Sequence, residues 1–412
     1  MTTATGHSLA PTRMRVVARR QAARAPLPAR VWLAFAVGLT NPFTLRLVGL
    51  MPVSEVILLA AGAVYFLRLV LSHRMDETLV GGWPFRWLMV AQAVALFGYV
   101  LSDVWRGSST PDIARGWARM VFLAFDVGCM AVLFGDVRVF VAYQLGVAAS
   151  GCHVLVHGAL FGDAWKFGYG VPLTVLALLV CPLAGPVAAC GGIVAMAAVH
   201  WAMDFRSMAL ICALLAAVLA LTWFPLRVRG WLVPLGVVLA VAAFALRGQI
   251  VGEGSERSKR SDAERTAMLS AASEAFFASP LVGQGSWFSN SKVMDRFVEI
   301  RAENARAAGV GGFGDDDGET MAIHSQMLVG LAEGGLLGGC FFATYGAFLL
   351  WGLWRVAARR PWDRLTAIYL FLLFSGLLNL CFTPFSGAAR VDIAATVGAL
   401  LMLWREREYE AR

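Results

Sequence analysis

His324 and Ser325 are the residues whose types and position in the chain best suit chemistry. They close a long polar segment and stand directly before an apolar one, so we predict that they lie where water meets a membrane. An imidazole group titrates near neutral pH and is a common general base, so His324 is suited to take a proton from an incoming hydroxyl group. Position alone fits a second interpretation equally well, in which His324 is structural and Ser325 caps the helix that follows.

Arginines on the outer side of the predicted membrane protein form a second set of candidates. The positive-inside rule depletes arginine on that side, so each of them requires an explanation. The guanidinium group binds phosphate through two parallel hydrogen bonds, and a pyrophosphate at the membrane surface would explain several arginines together. For any single arginine, pairing with a nearby aspartate or a lipid headgroup is the simpler explanation. The exceptions are Arg265, because of the helix face that it occupies, and Arg206, because of a resemblance described below. The arginines are Arg115, Arg119, Arg206, Arg265 and Arg390, and the aspartates are Asp103, Asp112 and Asp204.

Three further groups of polar residues are weaker candidates for a functional role. Glu333 lies inside an apolar run, where a charge is costly, so it pairs with an arginine, tunes His324 or is protonated. The acidic stretch Asp315–Asp317 offers oxygen ligands for a hard metal ion, but the glycines that flank it favour a solvated turn. His153 and His157 have no third ligand nearby, so we predict core packing for them. Neither a metal ion nor a cofactor is expected.

The composition of the chain is that of a membrane protein. Of its 412 residues, 58% are hydrophobic and only 15% are charged, whereas soluble domains contain about 25% charged residues. The net charge of +8 lies mostly in short segments that flank apolar runs, which indicates membrane topology and not nucleic-acid binding. All seven cysteines lie in or at the ends of apolar runs, so we expect neither a disulfide framework nor a zinc site.

Repeated apolar runs, each near the roughly 20 residues that cross a bilayer, predict an all-α polytopic protein with about 12 transmembrane helices. Arginine clusters place both chain ends in the cytoplasm and the long polar loop outside, if an odd number of helices precedes that loop. The predicted parts are a basic tail (1–30), nine helices (31–246), an outer loop (247–325), three helices (326–404) and a cytoplasmic tail (405–412). The apolar runs are 31–50, 53–72, 86–102, 117–134, 137–158, 170–183, 185–202, 207–225, 231–246, 326–354, 363–382 and 391–404.

The outer loop carries helix signals of its own. The segment Ser261–Glu264 has the spacing of a capping box, and the helix that it opens is predicted to end near Ala278. Arg265 recurs at helical spacing with the apolar residues of this helix, so we place it on the packed face, where it requires an anionic partner. A Pro-Gly turn at 280–285, a charged helix at 291–308 and a glycine-rich acidic stretch then lead back to the membrane.

Three segments resemble those of a known enzyme superfamily. His324-Ser325, followed after nine residues by Gly335-x-x-Gly338, resembles the motif H-[NSQ]-x9-G-x-x-G of the O-antigen ligases. Arg265 with Ser279-Pro280-Leu281-x-Gly283-x-Gly285 resembles the first half of the large periplasmic loop of the O-antigen ligase and polymerase superfamily. Phe205-Arg206-Ser207 is similar to the Ser-Arg-small pattern that opens a helix in this superfamily, with phenylalanine in place of the expected serine.

The resemblance, which is closest to O-antigen ligase, implies a GT-C-like glycosyltransferase of the bacterial inner membrane with its active site facing the periplasm. Such an enzyme works without a metal ion and inverts the anomeric carbon by direct displacement. Its donor would be a glycan on undecaprenyl pyrophosphate, whose lipid chain lies among apolar helices and membrane lipids, and its acceptor would be lipid A-core. His324 is the expected base, and the expected substrate-binding residues are Arg265, Arg206, Arg119, Arg115, Ser325 and Glu333.

Two other functions fit the same pattern. A polymerase of the superfamily shares the chemistry and passes the glycan to another repeat unit, although the ligase-type histidine motif favours a ligase. A polysaccharide transporter or flippase also has about twelve membrane helices, but such proteins often contain internal repeats. This sequence shows no convincing repeat and concentrates its polar residues in one outer loop, which favours an enzyme.

Overall fold

The computed structural model describes residues 27–47, 49–71, 82–156, 161–221, 256–288, 291–307, 323–358 and 365–410. Apart from one hairpin and the connecting turns these segments are helical, which confirms the predicted all-helical membrane class. Helices α1 to α9 are Leu27–Thr40, Val53–Leu71, Trp83–Arg106, Thr110–Leu133, Val137–Val156, Phe161–Ala164, Gly170–Val180, Pro186–Ala202 and Arg206–Leu221. Helices α10 to α15 are Glu256–Ala278, Ser291–Ala307, Gln326–Gly338, Cys340–Ala358, Thr366–Phe382 and Gly387–Glu410. The hairpin strands are β1 (Thr44–Leu47) and β2 (Gly49–Pro52), and a π-helix (Trp165–Tyr169) joins α6 to α7.

Five of the described helices are long and apolar enough to cross a membrane, and a bent helix pair is a sixth candidate. Shorter apolar helices accompany them. The predicted total of twelve, and the orientation that depends on it, stay predictions, because the ninth apolar run at 231–246 lies outside the described residues. Residues 1–26 of the predicted basic tail also lie outside the described residues. The five long helices are Trp83–Arg106, Thr110–Leu133, Val137–Val156, Trp165–Ala184 and Gly387–Arg405.

The first predicted membrane helix has different ends in the structure. We predicted an apolar helix over 31–50, but α1 begins at Leu27, ends at Thr40 and is followed by the antiparallel β1–β2 hairpin. Asn41 and Pro42 stop the helix, because proline disfavours helical backbone at the residue before it. With 14 residues α1 is about 21 Å long, which is shorter than the roughly 30 Å apolar core of a bilayer.

The tenth apolar run does not form one straight membrane helix. We predicted a continuous helix over 326–354, but α12 and α13 meet at an angle of 108°. Within α12, Gly335 has φ +65° and ψ −159°, a backbone conformation that is essentially restricted to glycine. The prediction was wrong because the apolar residues continue without interruption from α12 to α13, whereas the helical backbone breaks at Gly335.

Glycines also bring α12 close to α3. A Cβ atom at Gly98 of α3 would lie 2.5 Å from the backbone nitrogen of Gly338. A Cβ atom at Gly338 would in turn lie 2.6 Å from the carbonyl oxygen of Gly330. Small residues allow helix backbones in a membrane to approach closely, so Gly98 holds α3 against the broken helix, whereas the contact of Gly338 with Gly330 lies within α12 itself.

The polar loop that we predicted to lie outside the membrane contains two helices that pack on each other. The end of α10 at Ala278 and the bounds of α11 agree with the predicted helices. The predicted start of the first helix is wrong, because α10 begins at Glu256 and Ser261 lies inside it. Serine and glutamate three residues apart are also ordinary neighbours on the surface of a continuous helix. The apolar contact between the two helices consists of Ala267, Met268, Ala271, Phe297 and Ile300.

Candidate functional site

The turn at 280–287 satisfies the hydrogen bonds that the break in α12 leaves open. In a continuous helix the amide of Leu336 would donate to the carbonyl of Ala332, but the break separates the two groups. The Leu336 amide donates instead to the Pro280 carbonyl oxygen at 2.8 Å, and the Ala332 carbonyl accepts from the Gln284 amide at 2.9 Å. Buried backbone groups in a membrane require such partners, so the turn and the break are two parts of one structure.

Two glycines make this backbone contact possible. Gly283 has φ +82°, and a Cβ atom there would lie 2.3 Å from the carbonyl oxygen of Glu333. A Cβ atom on Gly335 would lie 2.4 Å from the carbonyl oxygen of Leu281. Neither position has room for a side chain. The Pro-Gly turn and Gly335 of the histidine motif are far apart in the sequence. They therefore meet only in the folded structure.

The end of α3 holds the turn from another side. Ser102 donates its hydroxyl hydrogen bond to the Glu333 carbonyl at 2.7 Å and accepts from the Gly285 amide at 2.9 Å. The buried carboxylate of Asp103 accepts four hydrogen bonds of 2.7–2.8 Å. This role of Asp103 was not predicted, and its signal in the sequence is a carboxylate at the end of an apolar run. Its donors are the amide and hydroxyl of Ser286, the indole of Trp117 and the hydroxyl of Ser108.

Arg119 of α4 and Glu333 of α12 form a buried ion pair beside the turn. Their side chains are only 6% and 2% exposed. The second carboxylate oxygen of Glu333 accepts the amide hydrogen bond of Trp287 at 3.1 Å. The Arg119 guanidinium lies 5.1 Å from the ring centroid of Trp287 and 5.4 Å from that of Phe385. Of the three alternatives for Glu333, the structure shows the pairing with an arginine, and this arginine is held inside the protein.

His324 is half-buried and stands just before α12, next to the residue that caps this helix. Ser325 accepts the hydrogen bond of the Leu328 amide at 3.3 Å, so this serine caps α12 as the second interpretation predicted, and the cap leaves the role of His324 open. Burial, followed by the positive charge of Arg265, lowers the pKa of His324, and the charge of Glu264 acts in the opposite direction. A lowered pKa keeps the imidazole neutral at neutral pH, which is the form that accepts a proton.

Arg265 faces solvent, so its prediction on the packed face of the loop helix is wrong. The buried residues of α10 form a stripe, and Arg265 lies about 100° around the helix from the centre of that stripe. Its charge nevertheless acts on His324. The structure thus brings these two predicted site residues together through an exposed face and not a packed one. The buried residues of α10 are Ala263, Ala267, Met268, Ala271, Ala272 and Ala275.

Arg115 and Arg206 are exposed and pair with aspartates. For Arg115 this agrees with the simpler explanation, whereas the phosphate-binding role expected of Arg206 stays a prediction. Arg115 lies 4.0 Å from Asp112, and the Nε atom of Arg206 lies 2.8 Å from Asp204. Exposed ion pairs stabilise a protein by at most about 1 kcal/mol. Within the described segments, neither arginine bonds to the histidine or to the buried ion pair.

The remaining sequence candidates have structural contacts. Arg390 forms two hydrogen bonds of 2.7 and 2.8 Å with the buried carboxylate of Glu55. The ring of His153 packs against that of Phe43, with 4.5 Å between the centroids. Among the described residues, no group of three or more His, Cys, Asp or Glu side chains is arranged to hold a metal ion. The acidic stretch Asp315–Asp317 and His157 lie outside the described residues.

No family model, curated protein or solved structure matches this chain. A functional assignment must therefore come from the chemistry of the site. Two features define this site: a half-buried histidine that is influenced by an exposed arginine, and a rigid broken helix that carries the histidine at its start.

Replacement of Gly335 by alanine should destabilise the site strongly. The added methyl group meets the Leu281 carbonyl oxygen at 2.4 Å, and the left-handed backbone adds about 1–2 kcal/mol of strain. We expect a clear fall in melting temperature in detergent. Gly128→Ala is the matched control, because Gly128 lies within α4 and nothing lies within 4 Å of its Cβ position. An equal fall in both variants would contradict the close backbone contact.

Removal of one member of the Arg119–Glu333 pair should destabilise the protein more than removal of both. A buried charge that has lost its partner typically costs about 3–5 kcal/mol, whereas an uncharged pair of similar volume is often neutral. Arg119→Met and Glu333→Gln should each lower the melting temperature more than the double variant does. Melting curves of the four proteins in one detergent measure this coupling, and strictly additive losses would show that the two side chains act independently.

Proposed function

We propose that this protein is a glycosyltransferase of the bacterial inner membrane that moves a glycan from undecaprenyl pyrophosphate to an acceptor hydroxyl group at the periplasmic surface. The proposed acceptor is lipid A-core, as for an O-antigen ligase. The observation that supports this proposal best is the interaction of His324 with Arg265 at the polar start of a broken apolar helix. The imidazole of His324 is suited to act as a base, and the guanidinium of Arg265 is suited to bind phosphate.

His324 has the protonation state that the reaction requires. The neutral imidazole takes the proton of the acceptor hydroxyl group while the hydroxyl oxygen attacks the anomeric carbon of the donor. The bond between that carbon and the pyrophosphate oxygen breaks, and the pyrophosphate leaves with the bonding electrons. Attack opposite to the departing group inverts the configuration at the carbon. General-base assistance of this kind typically contributes about 10²–10⁴-fold to the rate.

Arg265 is suited to stabilise the negative charge that develops on the departing pyrophosphate. Its exposed side chain is open to a ligand from the outer side, and its planar group binds two phosphate oxygens at once. Because its charge also acts on His324, the same arginine helps to keep the base neutral. Proton acceptance and charge stabilisation would then occur at neighbouring groups.

The other arginines divide into two kinds under this proposal. Arg206 and Arg115 hold aspartates in weak, exposed pairs, so a phosphate group with more charge could replace those partners. Arg119 is buried and bound to Glu333, so we assign this pair to positioning of the broken helix. Ser325 has a similar role, because its cap fixes the backbone beside the base.

Replacement of His324 by alanine should reduce glycan transfer by about 10²–10⁴-fold while the protein stays folded. The assay uses purified protein in detergent with undecaprenyl-pyrophosphate glycan and lipid A-core. His153→Ala is the matched control, since this histidine packs against Phe43, and it should retain transfer. Normal transfer by a well-folded His324→Ala protein would remove the histidine from the mechanism.

The product of the same assay distinguishes the candidate functions. Glycan attached to lipid A-core identifies a ligase, whereas longer glycan that stays on undecaprenyl pyrophosphate identifies a polymerase. Absence of any transfer in detergent, together with movement of the lipid-linked glycan across a reconstituted membrane, would favour a flippase. These outcomes differ in chemical structure, so mass spectrometry of the products separates them.

The pH profile of kcat/KM tests the influence of Arg265 on His324. A base must be neutral, so activity is lost as pH falls through the pKa of His324, and the lowered pKa places that loss below 6.5. Arg265→Gln removes a charge that lowers this pKa, so its acid limb should move to higher pH. Glu264→Gln removes the opposing charge, so its acid limb should move to lower pH.

Arg265→Lys separates the charge of this residue from its geometry. Lysine keeps the positive charge, so the acid limb should stay near that of the parent protein. It lacks the planar fork, so the KM for the lipid-linked donor should rise. Identical acid limbs in all these variants would contradict the electrostatic effect of Arg265 on His324. An unchanged KM for Arg265→Lys would contradict bidentate binding of pyrophosphate.

A further inference from the structure

Trp287 has a backbone conformation that is unusual for a tryptophan. Its φ and ψ angles of 56° and 28° lie in the left-handed region, where a bulky residue is a genuine outlier. Glycine adopts this region without strain, and the same turn already uses Gly283 and Gly285 at positive φ. Strained residues of this kind persist where their surroundings hold them, and they cluster at functional sites. A side chain that is present despite the strain points to a use for the indole.

Contacts with residues in the protein interior hold Trp287 in place. Its amide donates to the buried carboxylate of Glu333 at 3.1 Å, and the preceding Ser286 is bound to Asp103 through both its amide and its hydroxyl. The guanidinium of Arg119 lies 5.1 Å from the centroid of the indole ring. The residue is nevertheless 45% exposed. The turn therefore presents a fixed aromatic surface to the outside.

The position of this surface relative to His324 limits what it can bind. Glu333, which holds the Trp287 amide, follows His324 by nine residues and therefore lies about 13 Å further along the helix. This spacing separates the residue that holds the Trp287 amide from the base, which favours a contact of the indole with the glycan over one with the reacting carbon. A glycan chain that extends from the reacting sugar along α12 would reach Trp287. The face of an indole ring carries partial negative charge, which attracts the polarised C–H groups on the face of a sugar ring.

A membrane-interface anchor is the main alternative role for an exposed tryptophan. Trp32 is an example of an exposed tryptophan on an ordinary helix, with 71% of its surface exposed. An anchor of that kind requires neither a strained backbone nor a hydrogen bond to a buried carboxylate. Trp287 has both, so its surroundings fix the direction of the ring, which matters for a ligand with a defined shape.

We propose that Trp287 is a glycan-binding residue whose indole stacks against a sugar ring of the transferred glycan, beyond the sugar at the reacting bond. This inference rests on the proposed function, and it adds the path of the glycan, which runs from His324 along α12 to the turn. Its role is binding and not catalysis, because the ring contacts a part of the substrate that does not react.

Kinetics of Trp287 variants test this role. Trp287→Leu should raise the KM for the lipid-linked glycan about tenfold, equivalent to about 1.4 kcal/mol, with kcat nearly unchanged. Trp287→Phe keeps an aromatic face and should restore most of the affinity. Trp32→Leu is the matched control and should behave as the parent protein does. A parental KM in a folded Trp287→Leu protein would overturn the proposal.

Chemical footprinting of the unmodified protein provides a second measurement that does not depend on how a variant folds. Oxidation of indoles by N-bromosuccinimide is followed peptide by peptide with mass spectrometry. Donor that carries its glycan should protect Trp287 several-fold, whereas undecaprenyl pyrophosphate without glycan should not. Equal protection by the glycan-free carrier, or protection by a lipid bilayer alone, would overturn the proposal in favour of a lipid contact.

The two experiments separate failure of this inference from failure of the proposed function. Lack of glycan transfer by the unmodified protein would overturn the proposed function. Normal transfer without glycan-dependent protection of Trp287 would overturn only the stacking role. If Trp287→Leu does not fold, the footprint of the unmodified protein decides the question.

Discussion

The exchange of backbone hydrogen bonds between the turn at 280–287 and the break in α12 is the interaction on which the site depends. A backbone group without a partner costs several kcal/mol in the apolar part of a membrane, so an open break at Gly335 would not persist. Pro280 and Gln284 supply the missing acceptor and donor. The same bonds attach the outer loop to the membrane helices. They thereby fix the end of α12 that lies away from His324, and the Ser325 cap fixes its start.

The charged residues around this contact divide according to burial. Asp103, Arg119 and Glu333 are buried, and each is bound by an oppositely charged or hydrogen-bonding side chain. They make the broken helix and the turn one rigid unit. Arg206 and Arg265 are exposed, and the weak pairing available at a surface leaves such side chains able to exchange partners. In the proposed enzyme the buried charges position the site, and the exposed ones bind the substrate.

Much of the fold followed from local patterns in the sequence. Hydrophobic runs identified the membrane class, and the change to polar composition identified the outer loop. Helical spacing and a proline placed the end of α10 near Ala278, and turn residues separated it from α11. The failures involved backbone angles. An apolar run continues through the break at Gly335, and a capping-box spacing at Ser261 also fits a helix interior. Residue types constrain only weakly where a helix breaks and where it begins.

For the site, the sequence by itself determined the residue types: a histidine and a serine at a polar boundary, glycines after them and a glutamate that needs a cation. It could not determine partners, since these come from distant segments. Only the tertiary structure decided that Glu333 binds Arg119 and that Asp103 holds the turn. Only it decided that the charge of Arg265 acts on His324 from an exposed face. The reason is physical, because spacing along one helix fixes which side chains share a face, whereas packing between helices fixes what that face meets.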